Sequence, residues 1–278
     1  MTPRTKPDPD SRPTPWQLQM FKKSLKKQQK VRVLLELLGP LSDKRCLLIT
    51  NGDNNGALNY HFRAAGGRWT WAEMEKPSIA VLTAFLGETV HHASAEALPF
   101  ADASFDSVVV VDVHEHLSDV RPFNSEIARI VAPGGLVVVS TPNGDESLPV
   151  AVLKRWVGMT PEVYGHVVQG FRMSELESMV VGMGLRPEGH GCYSRFFTEL
   201  AELAINFGYV KVLSGRGRGP SVPEGTIAPN TEEQLRSVNK AYRVYSLIYP
   251  FVRAFSALDA LVTGEGGYAL AIAARKPV

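Results

Sequence analysis

The stretch Leu98 to Leu117, LPFADASFDSVVVVDVHEHL, constrains this chain more than any other. A turn signal at Pro99 and Asp102-Ala103-Ser104 leads into the run Val108–Val113, interrupted only by Asp112. A β-branched run without alternation suits a strand covered on both faces, because its side chains meet apolar neighbours whichever way they point. The run therefore predicts the middle of a parallel sheet. Ligands of such sheets lie beyond the carboxyl ends of the strands, where Asp112, His114, Glu115 and His116 would fall.

The surrounding chain supplies the rest of such a sheet. Arg45–Thr50 (RCLLIT) reads as a short apolar strand, and Asn51-Gly52-Asp53-Asn54-Asn55-Gly56 as a tight polar turn. Leu58, Phe62 and Ala65 share one side of a helix that closes on Gly66-Gly67. Strand, glycine-bearing turn and helix form the first half of a nucleotide-binding unit. Arg68–Met74 is a second strand, and its Glu73 follows Gly52 by 21 residues, near the spacing at which an acid grips a ribose. A helix over Pro77–Leu86, a strand over Glu88–Ala93, a helix over Ser125–Ala132 and a strand over Leu136–Ser140 continue the alternation. That spacing means an α/β, doubly wound sheet. After Asn143 the pattern loosens until a helix over Ser174–Met183 and a strand over Leu185–Arg195. Helices over Phe196–Leu213 and Glu232–Val262 flank a glycine- and proline-rich loop, and Tyr268–Ala274 returns as a strand.

With 278 residues and 44% hydrophobic content, the chain can bury a core as one domain with additions. Cys46 and Cys192 lie far apart, which suits a reducing compartment and gives no disulfide framework. The N-terminus is polar and shows no apolar leader. Residues 1–32 carry 9 Lys/Arg against 2 Asp/Glu; with 30 basic and 28 acidic residues in all, the remainder is net acidic. Such an arm suits a solubilising tail, an anionic lipid or a nucleic acid, and the acidic remainder argues against the last. Residues 1–15 are proline-rich and expected to be disordered. Residues 16–39 read as a basic amphipathic helix with lysines at 22, 23, 26, 27 and 30. It either lies on a membrane surface or packs beside the core. Segment 241–262 is apolar, but Arg243, Pro250, Arg253 and Asp259 argue against a membrane span.

At these residues the chain resembles a known family. LPFADASFDSVVVVDVHEHL, followed by EIARIVAPGGLVVVSTPN, is similar to the class I S-adenosylmethionine-dependent methyltransferases, nearest the small-molecule branch related to quinone biosynthesis. HVVQGFRMSELESMVVGMG (166–184) resembles that branch's segment before the sixth strand. The resemblance implies a mostly parallel seven-stranded Rossmann-like sheet whose last strand is antiparallel. The core would span 40–195 and close with a final strand at 267–278, and 196–266 would be a helical insertion or cap. It also implies S-adenosyl-L-methionine as cofactor and a small-molecule acceptor, lipid-like or glycosylated. The cofactor would be held by Thr50, Gly52, Asp53, Asn54, Gly56, Glu73, Ser94, Ala95 and Asp112.

Three positions depart from the family's pattern. Thr50 replaces the acid that ends the first strand, Asn54 replaces the middle glycine of the turn, and Ser94-Ala95 lacks the Asp before the adenine contact. Asn tolerates positive φ better than other non-glycine residues, so the turn can survive. These departures keep open an alternative, a methyltransferase-like protein without turnover that serves as a binding or assembly module. Methyl transfer is a direct displacement that rests mainly on alignment, and an oxygen acceptor also needs a base. His114, His116 and His166 are the candidates. No metal set is expected, since His91-His92 lacks a third ligand at metal spacing. Trp69 and Trp71 read as core. The expected location is cytoplasmic, peripheral to the inner face of a membrane, and the oligomeric state is left open.

Overall fold

A computed structural model describes residues 15–52, 54–214, 236, 239–262 and 266–278. The expected tail and most of the loop near 214–230 lie outside these residues, as does Asp53. Seven strands form one sheet: β1 (Arg45–Thr50), β2 (Arg68–Glu73), β3 (Val90–His92), β4 (Phe105–Val111), β5 (Val131–Pro142), β6 (Arg186–Tyr193) and β7 (Ala269–Arg275). Their order is β3-β2-β1-β4-β5-β7-β6, and β7 is antiparallel to both β5 and β6. β1 and β4 pair in parallel with Thr50 opposite Val111, so the two strands end side by side. The order reverses at β1, which creates the crevice where ligands of open α/β sheets bind.

The absence of alternation in β1, β4 and β5 has its cause in this layering. Leu47, Ile49, Val108, Val110, Val137 and Val139 face one layer, whose helices α5 (Arg121–Ile130) and α7 (Met173–Gly182) supply Phe123, Ile127, Leu176 and Val180. Leu48, Val109, Val111 and Val138 face the other, against Leu34, Leu38, Phe62 and Leu82. Leu34 and Leu38 belong to α2 (Leu25–Leu38), Phe62 to α3 (Ala57–Ala64) and Leu82 to α4 (Lys76–Leu86).

The expected helix over 16–39 is two helices. α1 (Trp16–Phe21) ends at Lys22, and α2 starts after Ser24, whose extended backbone (φ −100°, ψ 97°) turns the chain. α2 packs against β5, β6 and β7. A Cβ on Gly191 of β6 would lie 2.7 Å from Val33, so glycine there is what admits the helix so closely. This docking turns Lys26 and Lys30 toward the carboxyl ends of the strands.

The expectation of loose structure between 143 and 174 needs correction. Helix α6 (Pro149–Trp156) and a 3-10 turn over Pro161–Tyr164 occupy it. Helix α8 (Phe196–Ser214) lies against α6 and against α9 (Asn239–Ala257), which carries Pro250 within it. Together α2, α6 and α8 form a wall over the carboxyl end of the sheet.

Candidate active site

The turn after β1 is held by its own side chains. Thr50 Oγ1 donates to Glu73 Oε2 (2.6 Å), and Asn54 Nδ2 donates to Thr50 Oγ1 (3.2 Å) and Asn59 Oδ1 (2.7 Å). The backbone N–H of Gly56 returns to Asn54 Oδ1 at 3.0 Å. Asn54 thus keeps the turn by hydrogen bonding rather than by a left-handed backbone, which it does not adopt. Gly52 and Gly56 do, at φ 70° and 93°. A Cβ at Gly56 would come within 2.3 Å of the Phe85 ring, so glycine is required there on both counts.

Glu73 is fully buried. Its Oε1 accepts the N–H groups of Gly52 (2.7 Å) and Glu75 (2.8 Å), and its Oε2 takes the Thr50 hydroxyl. Burial pushes its carboxyl up to about 7, against the pull of these three hydrogen bonds. With both oxygens engaged by protein, Glu73 braces the turn and does not face the cavity. Beside the turn, Glu75 does. Ser94 and Ala95 also lie apart: Ser94 pairs with Ala97 in a local bridge after β3, and neither lines the cavity.

At the end of β4 the backbone of Asp112 is left-handed (φ 52°), a costly conformation for a non-glycine residue and one that clusters at functional sites. Its carboxylate forms an ion pair with Lys30 of α2. A 3-10 turn over His114–His116 then sends adjacent side chains in different directions. His114 points into the core, which removes it from the candidate bases. It is fully buried, its Nε2–H donates to Asn124 Oδ1 (2.9 Å), and it packs edge-on to Phe123 and Phe171. Burial lowers its pKa to about 4. Glu115 and His116 face the cavity instead. The Nδ1–H of His116 donates to the carbonyl of Gly165 (2.8 Å), leaving Nε2 with a lone pair. His166 lies with its ring centre 4.9 Å from that of His116. Burial, then the neighbouring His116, hold it down to about 4, so it is a neutral imidazole near pH 7.

These groups share a cavity of about 430 Å³ at the ends of β1, β4 and β5. The cavity is within the size range of small-molecule sites. Its far wall is charged. Glu199 of α8, 1% exposed, accepts Lys26 Nζ (2.9 Å), Lys154 Nζ of α6 and the Ser194 hydroxyl. Burial raises the Glu199 carboxyl, but the two ammonium groups more than offset this and hold it well below the usual carboxylate range.

Residues 51–139 match the family model described as a methyltransferase domain. Over 54 residues, 19% of this chain, the sequence is 48% identical to a "probable S-adenosylmethionine-dependent methyltransferase" of Mycolicibacterium smegmatis, 21% of whose length is covered. Over 159 residues, 52% of this chain, it is 30% identical to the ubiquinone biosynthesis O-methyltransferase of Rhizobium leguminosarum, 60% of whose length is covered. The chain thus spans between a fifth and three fifths of these two relatives. Among solved structures, phosphoethanolamine N-methyltransferase 2 of Haemonchus contortus, in complex with S-adenosyl-L-methionine, matches at TM-score 0.53 and 15% identity. That match covers 90% of this chain and 52% of that one, and it is a likeness of fold. The chain thus carries a methyltransferase domain over residues 51–139, and the relatives it resembles are S-adenosylmethionine-dependent or O-methyltransferases by name.

The cavity gathers Gly52, Asn54, Asp112, His116 and His166 from the residues expected by sequence. It leaves out Thr50, Glu73, Ser94, Ala95 and His114, while Asp53 lies outside the described residues. Gly56 shapes the turn from behind, against Phe85. Sequence reading gave no chemical role in the site to Glu75, Glu115, Lys26, Lys30, Lys154 or Glu199. Glu115 carries a usable signal, being an acid next to a histidine at the end of the central strand. Lys154 and Glu199 carry none, since they meet only when α6 and α8 pack together.

Proposed function

We propose that this protein transfers a methyl group from S-adenosylmethionine to a hydroxyl of a small, polar acceptor. The observation that carries this reading is that the β1 turn and the group Glu115, His116 and His166 open onto the same cavity. The cofactor suits the near end. A Cβ on Gly52 would meet Glu75 Cγ at 3.1 Å, so glycine keeps the passage between the turn and that acid open. Glu75 would take the ribose hydroxyls, with Glu73 holding the N–H groups of Gly52 and Glu75 in register. Bound there, S-adenosylmethionine supplies an electrophilic methyl group on a sulfonium.

The chain's own part is alignment and proton removal. His116 is oriented by Gly165, so its Nε2 is the atom that receives the acceptor's proton in metal-free protein. The charged wall of Lys26, Lys154, Glu199 and Glu202 favours a polar, glycosylated acceptor over a lipid chain. The reading is tested with methyl-labelled S-adenosylmethionine and a panel of phenols, catechols and their glycosides. His116→Ala should lower kcat/KM by roughly 10²–10⁴-fold while cofactor affinity holds. Absence of labelled product from every acceptor, or an unchanged rate in the variant, would count against it.

Among the described residues no helix is long and apolar enough to cross a membrane. Peripheral contact, as expected for a cytoplasmic protein at the inner face of a membrane, falls in this reading on α9 rather than on Lys26 and Lys30, which turn inward. Val244, Leu247, Ile248 and Phe251 are exposed on α9, and Arg243 beside them is exposed as well. Pelleting with anionic vesicles should fall sharply in a Leu247→Asp/Phe251→Asp variant. Equal pelleting would remove α9 from that role.

A further inference from the structure

Glu115 poses a problem that methyl transfer does not solve. It is fully buried, and neither carboxylate oxygen has a hydrogen-bond partner in another side chain or backbone group. A buried carboxylate in that condition is costly unless something neutralises it. Two imidazoles stand beside it. One carboxylate oxygen of Glu115 and one ring nitrogen each of His116 and His166 all lie within 4.8 Å of one another. All three residues line the cavity, and so does Asp112, whose carboxylate is paired with Lys30.

We propose that Glu115, His116 and His166 form a binding site for a divalent transition-metal ion. The second layer of such a site is already present. Ligating histidines generally donate their other N–H to a carbonyl or carboxylate, which fixes the tautomer, and His116 does this to Gly165. Two imidazoles and a carboxylate suit zinc, cobalt, iron or manganese, whereas magnesium and calcium prefer oxygen alone. The cavity leaves room for a ligand from solution at an open coordination position. The site's use rests on the methyl-transfer reading. An acceptor hydroxyl entering that position would give up its proton to water more readily, with His116 and His166 serving as ligands instead of proton acceptors.

The test is titration of untagged, EDTA-treated and dialysed protein with Co²⁺, followed by its visible d–d bands, without cofactor or acceptor. One Co²⁺ per chain should give inner-sphere bands, and Zn²⁺, but not Mg²⁺, should displace it. Glu115→Gln and His166→Ala should each weaken binding by about tenfold or more. His61→Ala, on α3, should bind as the parent does. His166 lies in a loop and is only partly buried, so His166→Ala carries the test even if the core substitution disturbs folding. Absence of bands in the parent, or unchanged affinity in His166→Ala, would overturn the site. Failure here would leave the methyl-transfer reading standing, because cofactor binding is measured separately. Loss of cofactor binding with Co²⁺ binding intact would do the reverse.

Discussion

Glu73 shows how a residue identified by spacing can hold a different post from the one expected. Its position at the end of β2 is legible in the sequence, and so is its closeness to the β1 turn. Its burial is not, because that follows from Thr50 and the N–H groups of Gly52 and Glu75 closing around both oxygens. This burial carries a pH signature. The carboxyl titrates near 4.5 when unfolded and about 7 when folded. The folded state therefore holds this proton more tightly. The group's contribution is full below 4.5 and is lost as pH rises to about 7. Chemical denaturation of the parent and Glu73→Gln should show the parent losing ground across that window and no further above it. A constant difference would mean that the acid stays ionised throughout. Asn54 teaches the same lesson about reach. Its presence in the turn was visible, yet what it does depends on Asn59, one turn into α3. His114 and His116, two residues apart, part company because a 3-10 turn carries one side chain into the core and the other to the cavity.

At the scale of elements, strands β1, β4 and β5 were legible because burial on both faces writes itself into composition as unbroken Val, Ile and Leu. Helix α2 was legible as a helix but not in its orientation. A lysine-bearing face reads as solvated, yet Lys26 and Lys30 find Glu199 and Asp112 across the cavity mouth. Helix α6 was missed because only eight residues form it and Pro149 opens it after a run of turn residues. The meeting of α2, α6 and α8 at Glu199 has an energetic consequence. Glu199→Ala would leave two ammonium groups without their buried counter-ion, which costs about 3–5 kcal/mol when a buried pair is broken. Denaturant unfolding should report a loss of that order. A loss below about 1 kcal/mol would show that the lysines reach solvent instead, as exposed pairs do.

For the whole molecule, the strand order brings together residues that are far apart in sequence. Gly52 and Glu75 reach the cavity from the first half of the sheet, Glu115 and His116 from the central strand, and His166 and Glu199 from the segments that follow β5. The topology could be read ahead because right-handed βαβ connections and a reversal at β1 leave few arrangements open. The far wall could not, because helices inserted outside that repeating pattern carry no periodic signal of where they dock. The central claim is that the β1 turn, with Thr50 and Asn54 in place of the family's acid and glycine, still forms a cofactor site. Calorimetric titration of S-adenosylmethionine and its demethylated product into the full chain tests this most directly, in the parent and in Glu75→Ala. The account predicts one site per chain in the parent, with affinity at least about tenfold weaker in Glu75→Ala, as loss of a charged hydrogen-bonding partner implies. No heat of binding in the parent at millimolar ligand, or equal affinity in the two proteins, would contradict it.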